Sequence, residues 1–315
     1  MGNLISFMKK VADGLRESGN YGTAHIYRSS LSAVVAFHGS DKLPFRKVTQ
    51  EFLKSFESYL RRKNCSWNTV STYMRTLRAV YNRAVDRHIA PYVPHHFRYV
   101  YTGTRADRKR ALDKEDMGRL MKELPKRLCL ENKDLQRTRG LFFLMFLLRG
   151  IPFVDLAYLK KKDMDGNAIT YRRRKTGKLL TVTLVPEAMK LIKRYMNTDP
   201  ASPYLFSLIS SEEGTETSYK EYQLALRNFN YQLMILKQVL GLTSELSSYT
   251  ARHTWATMAY YCEIHPGVIS EAMGHSSITV TETYLKPFKN KKIDEANVAV
   301  ITSLKKACVI SKFLN

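Results

Sequence analysis

Cysteine is scarce in this 315-residue chain: Cys65, Cys129, Cys262 and Cys308 stand far apart. There is no CxxC pair, so the sequence offers no zinc ribbon or finger. Widely spaced thiols in a chain this long do not make a disulfide scaffold, and they read as reduced cysteines of a cytoplasmic protein. Long apolar runs are also missing. The longest, Leu141 to Leu148, falls far short of the roughly 20 residues that a membrane helix needs. The opening stretch MGNLISFMKKVADGLRES is amphipathic and lacks the apolar core of a secretion signal. There is no internal repeat and no low-complexity tract. Lys175–Thr176–Gly177–Lys178 is not a phosphate-binding P-loop, because the upstream Gly and the following GK[ST] are absent. Neither a metal nor any other cofactor is expected.

Acidic residues are few as well. Against 51 Lys+Arg there are 28 Asp+Glu, a formal net charge of +23. An excess of this size speaks of partners rather than fold, and the partner that fits it is a phosphate backbone, whose counterions basic side chains release. Apolar residues at 44% and charged residues at 25% describe a folded chain, long enough for two domains of ordinary size.

Apolar residues recur at helical spacing near 4–17, 21–37, 49–62 and 68–88. In the last stretch Val70, Tyr73, Leu77, Val80 and Ala84 form one stripe, and Arg75 and Arg78 fall off it. Such a basic face is either merely solvated or laid on DNA. Pro91 and Pro94 then break the helical pattern, and a basic stretch that includes Arg98, Arg105 and Arg108 reads as a linker along a phosphate backbone. A second domain starts near Ala111, with Asp113 as N-cap of its first helix. Leu141–Leu148 should be buried helix. Residues 169–173 and 180–184 alternate with period two around a turn that carries Lys175. From about Glu187 the pattern is helical again.

Three places carry possible chemistry. Ser248 to Thr257 reads as a helix start presenting Arg252 and His253, where a guanidinium fork can meet a phosphate. In Met273 to Tyr284, Gly274 ends one helix, Ser276 or Ser277 caps the next, His275 lies between them and Tyr284 follows nine residues after His275. The third is Lys175, an available proton donor if DNA lies against it. Alone, each has an ordinary explanation: a surface basic pair, a packed tyrosine, an exposed turn lysine.

Taken in order, Arg252–His253, then Gly274–His275, then Tyr284 resembles the signature of the tyrosine recombinases, the phage integrase family. Lys175 in a strand–turn–strand ahead of these blocks is where that family carries its catalytic lysine. Asn68 to Ala79, Arg149 to Leu159 and Tyr171 to Gly177 resemble the Bacteroidetes members, among them DNA invertases and integrases of mobile elements. The resemblance implies a mainly α fold with a small β-sheet: a helical core-binding bundle over 1–103, a linker to about 110, and an α+β catalytic domain over 111–315. It also implies site-specific recombination of double-stranded DNA sites with inverted-repeat arms, by inversion or integration and excision, through a 3′-phosphotyrosine intermediate. The working form would be a homotetramer on synapsed DNA, a monomer or weak oligomer when free, in the cytoplasm and on the nucleoid.

The roles follow residue by residue. Tyr284 is the nucleophile, Arg252 clamps the phosphate, Lys175 protonates the leaving 5′-oxygen, His275 and Tyr249 donate hydrogen bonds, and His253 supports Arg252 or accepts the Tyr284 proton. Arg75, Arg78, Arg105, Arg108, Arg172 and Arg174 are the expected DNA contacts. The helical stretch Asp294 to Lys306, with Ile293, Val298, Val300 and Ile301, should dock on a neighbouring protomer. Two positions depart from the pattern. Pro152 stands where the first catalytic arginine belongs and has no donor to offer; Arg149 is expected to fill the role, with Arg139 as the other candidate. Tyr249 stands where the family has His. These departures motivate a second reading, a site-specific DNA-binding protein of the same fold with impaired catalysis. A third is a relaxing topoisomerase with the same chemistry and no specific site.

Overall fold

The computed structural model describes residues 2–104, 110–122, 132–285 and 290–306. The chain divides into two compact units, one comprising Met1–Asp107 with Ser210–Gln223, the other Arg108–Ile209 with Leu224–Asn315. Sequence spacing assigns Ser210–Gln223 to the second domain; in three dimensions that segment sides with the first.

The first unit is built on four helices, α1 (Leu4–Glu17), α2 (Tyr21–His38), α3 (Gln50–Arg62) and α4 (Trp67–Asp86). Three start on side-chain caps: Asn3, Thr49 and Ser66 each accept a backbone N–H of the first turn, satisfying donors that a helix otherwise leaves orphaned. Their apolar stripes meet in one core that includes Met8, Val34, Leu53, Phe56, Met74 and Val80, all inaccessible to solvent. Phe37 lies 5.2–5.3 Å from the rings of Phe52, Phe56 and Tyr59, spacing at which aromatic pairs add to simple burial. In Ser210–Gln223, Arg16 Nε donates to Glu216 at 2.9 Å and Tyr21 stacks on Tyr219 at 5.8 Å. Hydrogen bonds, first from the Ser211 N–H, hold the Glu221 carboxyl down to about 2.

In the second unit α5 (Lys114–Met121) begins at Asp113, whose side chain accepts the Asp116 N–H at 2.8 Å. Next come α6 (Lys133–Leu147) and the short α7 (Phe153–Ala157). A three-stranded antiparallel sheet follows in the order β1 (Met164–Asp165), β2 (Ala168–Arg172), β3 (Leu179–Thr183). Register pairs Ile169 with Val182 and Tyr171 with Leu180, and these four side chains are buried while their neighbours face out, the expected alternation of a one-sided sheet. The remaining helices are α8 (Pro186–Tyr195), α9 (Glu216–Val239), whose residues up to Gln223 belong to the first unit, α10 (Thr250–Tyr261), α11 (Pro266–Met273), α12 (Ile278–Glu282) and α13 (Asn290–Lys306). Apolar α6 packs against α8 and α10, with Leu141, Phe142, Leu144 and Met145 at most 1% exposed. Among the described residues no helix is long and apolar enough to cross a membrane.

One buried group makes the first unit pH-sensitive. His96 is 8% exposed, 4.5 Å from the Tyr81 ring and 5.1 Å from Phe97. Burial lowers its pKa, so the folded chain keeps the ring neutral. Below the unfolded value of about 6.5 the unfolded chain binds a proton that the folded chain refuses. Stability that is present above that value is therefore lost as the pH falls toward the folded pKa. His96→Phe should flatten the decline of thermal stability between about pH 7 and pH 5 relative to wild type. An unchanged slope in calorimetric melts would contradict this account.

Candidate active site

Arg252, in the first turn of α10, is 2% exposed. A charge buried this deeply must spend its donors on acceptors. Its Nη1 donates to the Gly150 carbonyl at 2.7 Å, and its Nη2 donates to the Met273 carbonyl at 2.7 Å and to His275 Nε2 at 2.8 Å. A guanidinium has no lone pair to give, so His275 Nε2 is the acceptor and the ring proton sits on Nδ1, which donates to Thr281 Oγ1 at 2.7 Å. Burial, then the charge of Arg252, pulls the His275 pKa down to about 3, which keeps the ring neutral. The sequence leads one to expect a His275 that donates to phosphate; in this arrangement its Nε2 instead positions Arg252.

Two left-handed glycines shape the pocket. Arg149 and Gly150, which link α6 to α7, have φ of 57° and 69°. A Cβ on Gly150 would lie 2.8 Å from the Arg252 Cα, so the turn that delivers the Gly150 carbonyl has room only for glycine. Gly274 ends α11 at φ 66°, and a Cβ there would lie 2.9 Å from Arg173 Cγ. Thr176 Oγ1 donates to the Gly274 carbonyl at 3.1 Å, which ties the β2–β3 turn to the corner that carries His275.

Tyr284 is in the turn immediately after α12, not on a helix as its spacing suggests. Its N–H donates to the Thr281 carbonyl at 2.9 Å, and Thr257 Oγ1 donates to its carbonyl at 3.2 Å. The half-buried ring lies 4.4 Å from His253 and 5.1 Å from His275, the latter stacked at 26°. The Arg252 guanidinium carbon is 5.8 Å from the ring centroid. Tyr249, exposed at the start of α10, lies 6.4 Å from His253; partial desolvation in the pocket, then neighbouring Tyr284, raises its pKa. Lys175 is exposed at the hairpin tip, and its charge contributes to the lowered His275 pKa.

Pro152 is the N-cap of α7, φ −66°, a place that suits a pyrrolidine and leaves the pocket without a guanidinium there. Of the two replacements read from sequence, Arg139 is committed elsewhere: it donates to the carbonyls of Leu120, Met121 and Lys122 at 2.6–2.8 Å, closing the end of α5. Arg149 is half-buried and donates to the Thr181 carbonyl at 3.3 Å. Sequence reading passes over Arg173, which is 5% exposed and paired with Asp155. The alternation along β2 carries the signal. Ile169, Tyr171 and Arg173 share the inward parity, and a charged residue at an inward position needs a buried partner. Of the expected DNA contacts, Arg75 and Arg78 are exposed on α4. Arg172 is exposed and donates to the Gly177 carbonyl at 3.1 Å, while the exposed Arg174 lies 3.8 Å over the Tyr158 ring. Arg105 and Arg108 lie outside the described residues.

Residues 3–99 match the phage integrase SAM-like domain, and residues 110–291 match the phage integrase family. Tyrosine recombinase XerC of Roseiflexus castenholzii is 24% identical over 282 residues, spanning 89% of this chain and 87% of that protein. Tyrosine recombinase XerA of Pyrococcus furiosus is 24% identical over 240 residues, 73% of this chain and 74% of that one. Among solved structures, a lambda integrase dimer bound to a COC′ core site superposes with a TM-score of 0.65 at 14% identity, covering 90% of this chain and 95% of that one. The Tn1549 transposon integrase in complex with a circular intermediate DNA gives 0.65 at 16% identity, covering 96% and 100%. A lambda integrase tetramer bound to a Holliday junction gives 0.63 at 14%, covering 90% and 78%. These likenesses establish the fold: a helical SAM-like domain followed by an integrase-type domain with its small sheet.

The tightness around Arg252 is testable without DNA. Gly150→Ala forces a Cβ into the left-handed region, about 1–2 kcal/mol, and against the Arg252 backbone. The melting temperature should fall by roughly 2–8 °C. A melt indistinguishable from wild type would show that the turn has slack.

Proposed function

This chain belongs to the phage integrase family, and from that premise we propose that it is a site-specific DNA recombinase in which Tyr284 attacks the scissile phosphodiester. The observation that carries the reading is the packing of the Tyr284 ring against His253 and His275 beside the buried Arg252 guanidinium. Those are the groups that the attack on a phosphate requires, gathered from α10, the corner after α11 and the turn after α12.

In the cleavage step the Tyr284 oxygen forms a bond to phosphorus and the bond to the 5′-oxygen breaks. The Tyr284 proton leaves to a base, for which His253 is the candidate, and Lys175 gives a proton to the departing 5′-oxygen. The product is a 3′-phosphotyrosine and a free 5′-hydroxyl. Because the diester energy is held in the tyrosine ester, the hydroxyl of a second strand reverses the same chemistry, and no nucleotide is consumed. Negative charge grows on the non-bridging oxygens in the transition state. Preorganised donors there contribute on the order of 3 kcal/mol each. Arg252 supplies the main clamp, held in place by His275, with Arg149 at the rim and Tyr249 as a neutral donor.

The partner is double-stranded DNA carrying inverted-repeat arms, gripped through the +23 net charge and the exposed face of α4. Ile293, Val298 and Val300 are 55–61% exposed along α13, which supports a role for that helix in docking on a neighbouring protomer within a tetramer. Inversion and integration share this chemistry, and the placement of the sites in the genome decides between them.

Tyr284→Phe should bind its DNA site with wild-type affinity and form no covalent adduct on nicked substrates; retained cleavage would point to another nucleophile. Lys175→Ala should recover cleavage on DNA whose bridging 5′-oxygen is replaced by sulfur, a leaving group that needs no proton. Absence of that recovery would remove Lys175 as the acid.

A further inference from the structure

Pro152 leaves the pocket one guanidinium short, and the buried side chains indicate where the missing charge resides. Arg173 follows β2 and is 5% exposed. Its Nη1 donates to Asp155 Oδ2 at 2.5 Å, and the other Asp155 oxygen accepts the Arg174 N–H at 3.0 Å. Its Nε is buried and, among the described residues, has no hydrogen-bond partner. The Nε of Arg252 is in the same condition. Two buried N–H groups of cations without acceptors are costly, and the two charges feel each other: after burial, the charge of Arg173 is the largest influence lowering the Arg252 pKa.

The charge balance leads the same way. Asp155 is the carboxylate that pairs with Arg173, while Arg252 donates to two carbonyls and a neutral imidazole. Among the described residues, one positive charge in a poorly solvated place therefore lacks a counter-charge. A phosphodiester brings one negative charge and acceptor oxygens for both Nε–H groups. Of the neighbouring arginines, Arg172 donates to the Gly177 carbonyl, Arg174 lies over the Tyr158 ring, and Arg149, at the rim, donates to the Thr181 carbonyl. Close contact between Gly274 and the Arg173 stem sets this guanidinium against the corner that carries His275.

We propose that Arg173, anchored by Asp155, is the second arginine of the catalytic pocket and donates its Nε–H to a non-bridging oxygen of the scissile phosphate. This rests on the recombinase reading above. Asp155 then acts as a positioning residue, holding the guanidinium by Nη1 and leaving Nε for the substrate.

The test compares cleavage of two DNAs, one with a normal scissile phosphate and one in which a methyl group replaces one of its non-bridging oxygens, removing the charge. Arg173→Ala leaves Asp155 buried without its partner, so Arg173→Lys is measured beside it; lysine keeps the ion pair and lacks the Nε–H. In each variant that retains the wild-type melting transition, cleavage of the phosphate should fall by about 100-fold. The ratio of methylphosphonate to phosphate cleavage should rise by a similar factor over wild type. Equal loss on both DNAs would mean a structural role and would overturn the proposal, as would unimpaired cleavage of the phosphate. Wild type that cleaves neither DNA would instead sink the recombinase reading itself, which distinguishes the two failures.

Discussion

The pocket depends on one buried guanidinium. Arg252 enters a place where water cannot solvate it, and it is held there by two backbone carbonyls and one imidazole from two separate parts of the chain, the Gly150 turn and the corner after α11. Removing any of these acceptors would leave a charged donor orphaned in low dielectric, a cost of several kcal/mol. The surrounding geometry follows from that need. The Gly150 turn exists to bring a carbonyl within reach, the αL end of α11 aims the Met273 carbonyl and the His275 ring at the same group, and Thr281 fixes the ring tautomer. Tyr284 then packs on a surface of two imidazoles that are already oriented.

This arrangement separates two jobs that a sequence motif lumps together. His275 lies in the motif beside the residues proposed for catalysis, yet its low pKa and its acceptor role make it a support for Arg252. Arg173 lies outside the motif, yet it is a second buried cation whose charge is felt at Arg252. The Asp155 carboxylate links the start of the short helix after Pro152 to the end of β2. The helix that Pro152 caps and the arginine at position 173 are thus joined through Asp155, although the positions are distant in the chain.

Much of the fold was legible because its signals are local. Helical periodicity and capping side chains set the four helices of the first unit, Asp113 opened α5, Gly274 closed α11, and period-two alternation marked the hairpin around Lys175. The position of Tyr284 was legible from its distance to His275, although α12 is too short to carry it and the tyrosine lies in the turn beyond. What could not be read depends on contacts between distant segments. Nothing local ties Ser210–Gln223 to the first unit, since its ion pair and ring stack reach back to Arg16 and Tyr21. Arg139 and Arg149 look alike in sequence, and only the α5 carbonyls tell them apart. Arg173 was hidden among four consecutive basic residues, where only its inward parity on β2 distinguishes it.

The central claim is that one tyrosine among 19 carries the DNA. The most direct measurement is to trap the wild-type protein on a nicked copy of its recombination site, digest it, and identify by mass spectrometry the peptide that retains nucleotide. The account predicts a peptide containing Tyr284, esterified to the 3′-phosphate of the cut strand. A nucleotide found on any other residue, or linked through a 5′-phosphate, would contradict it.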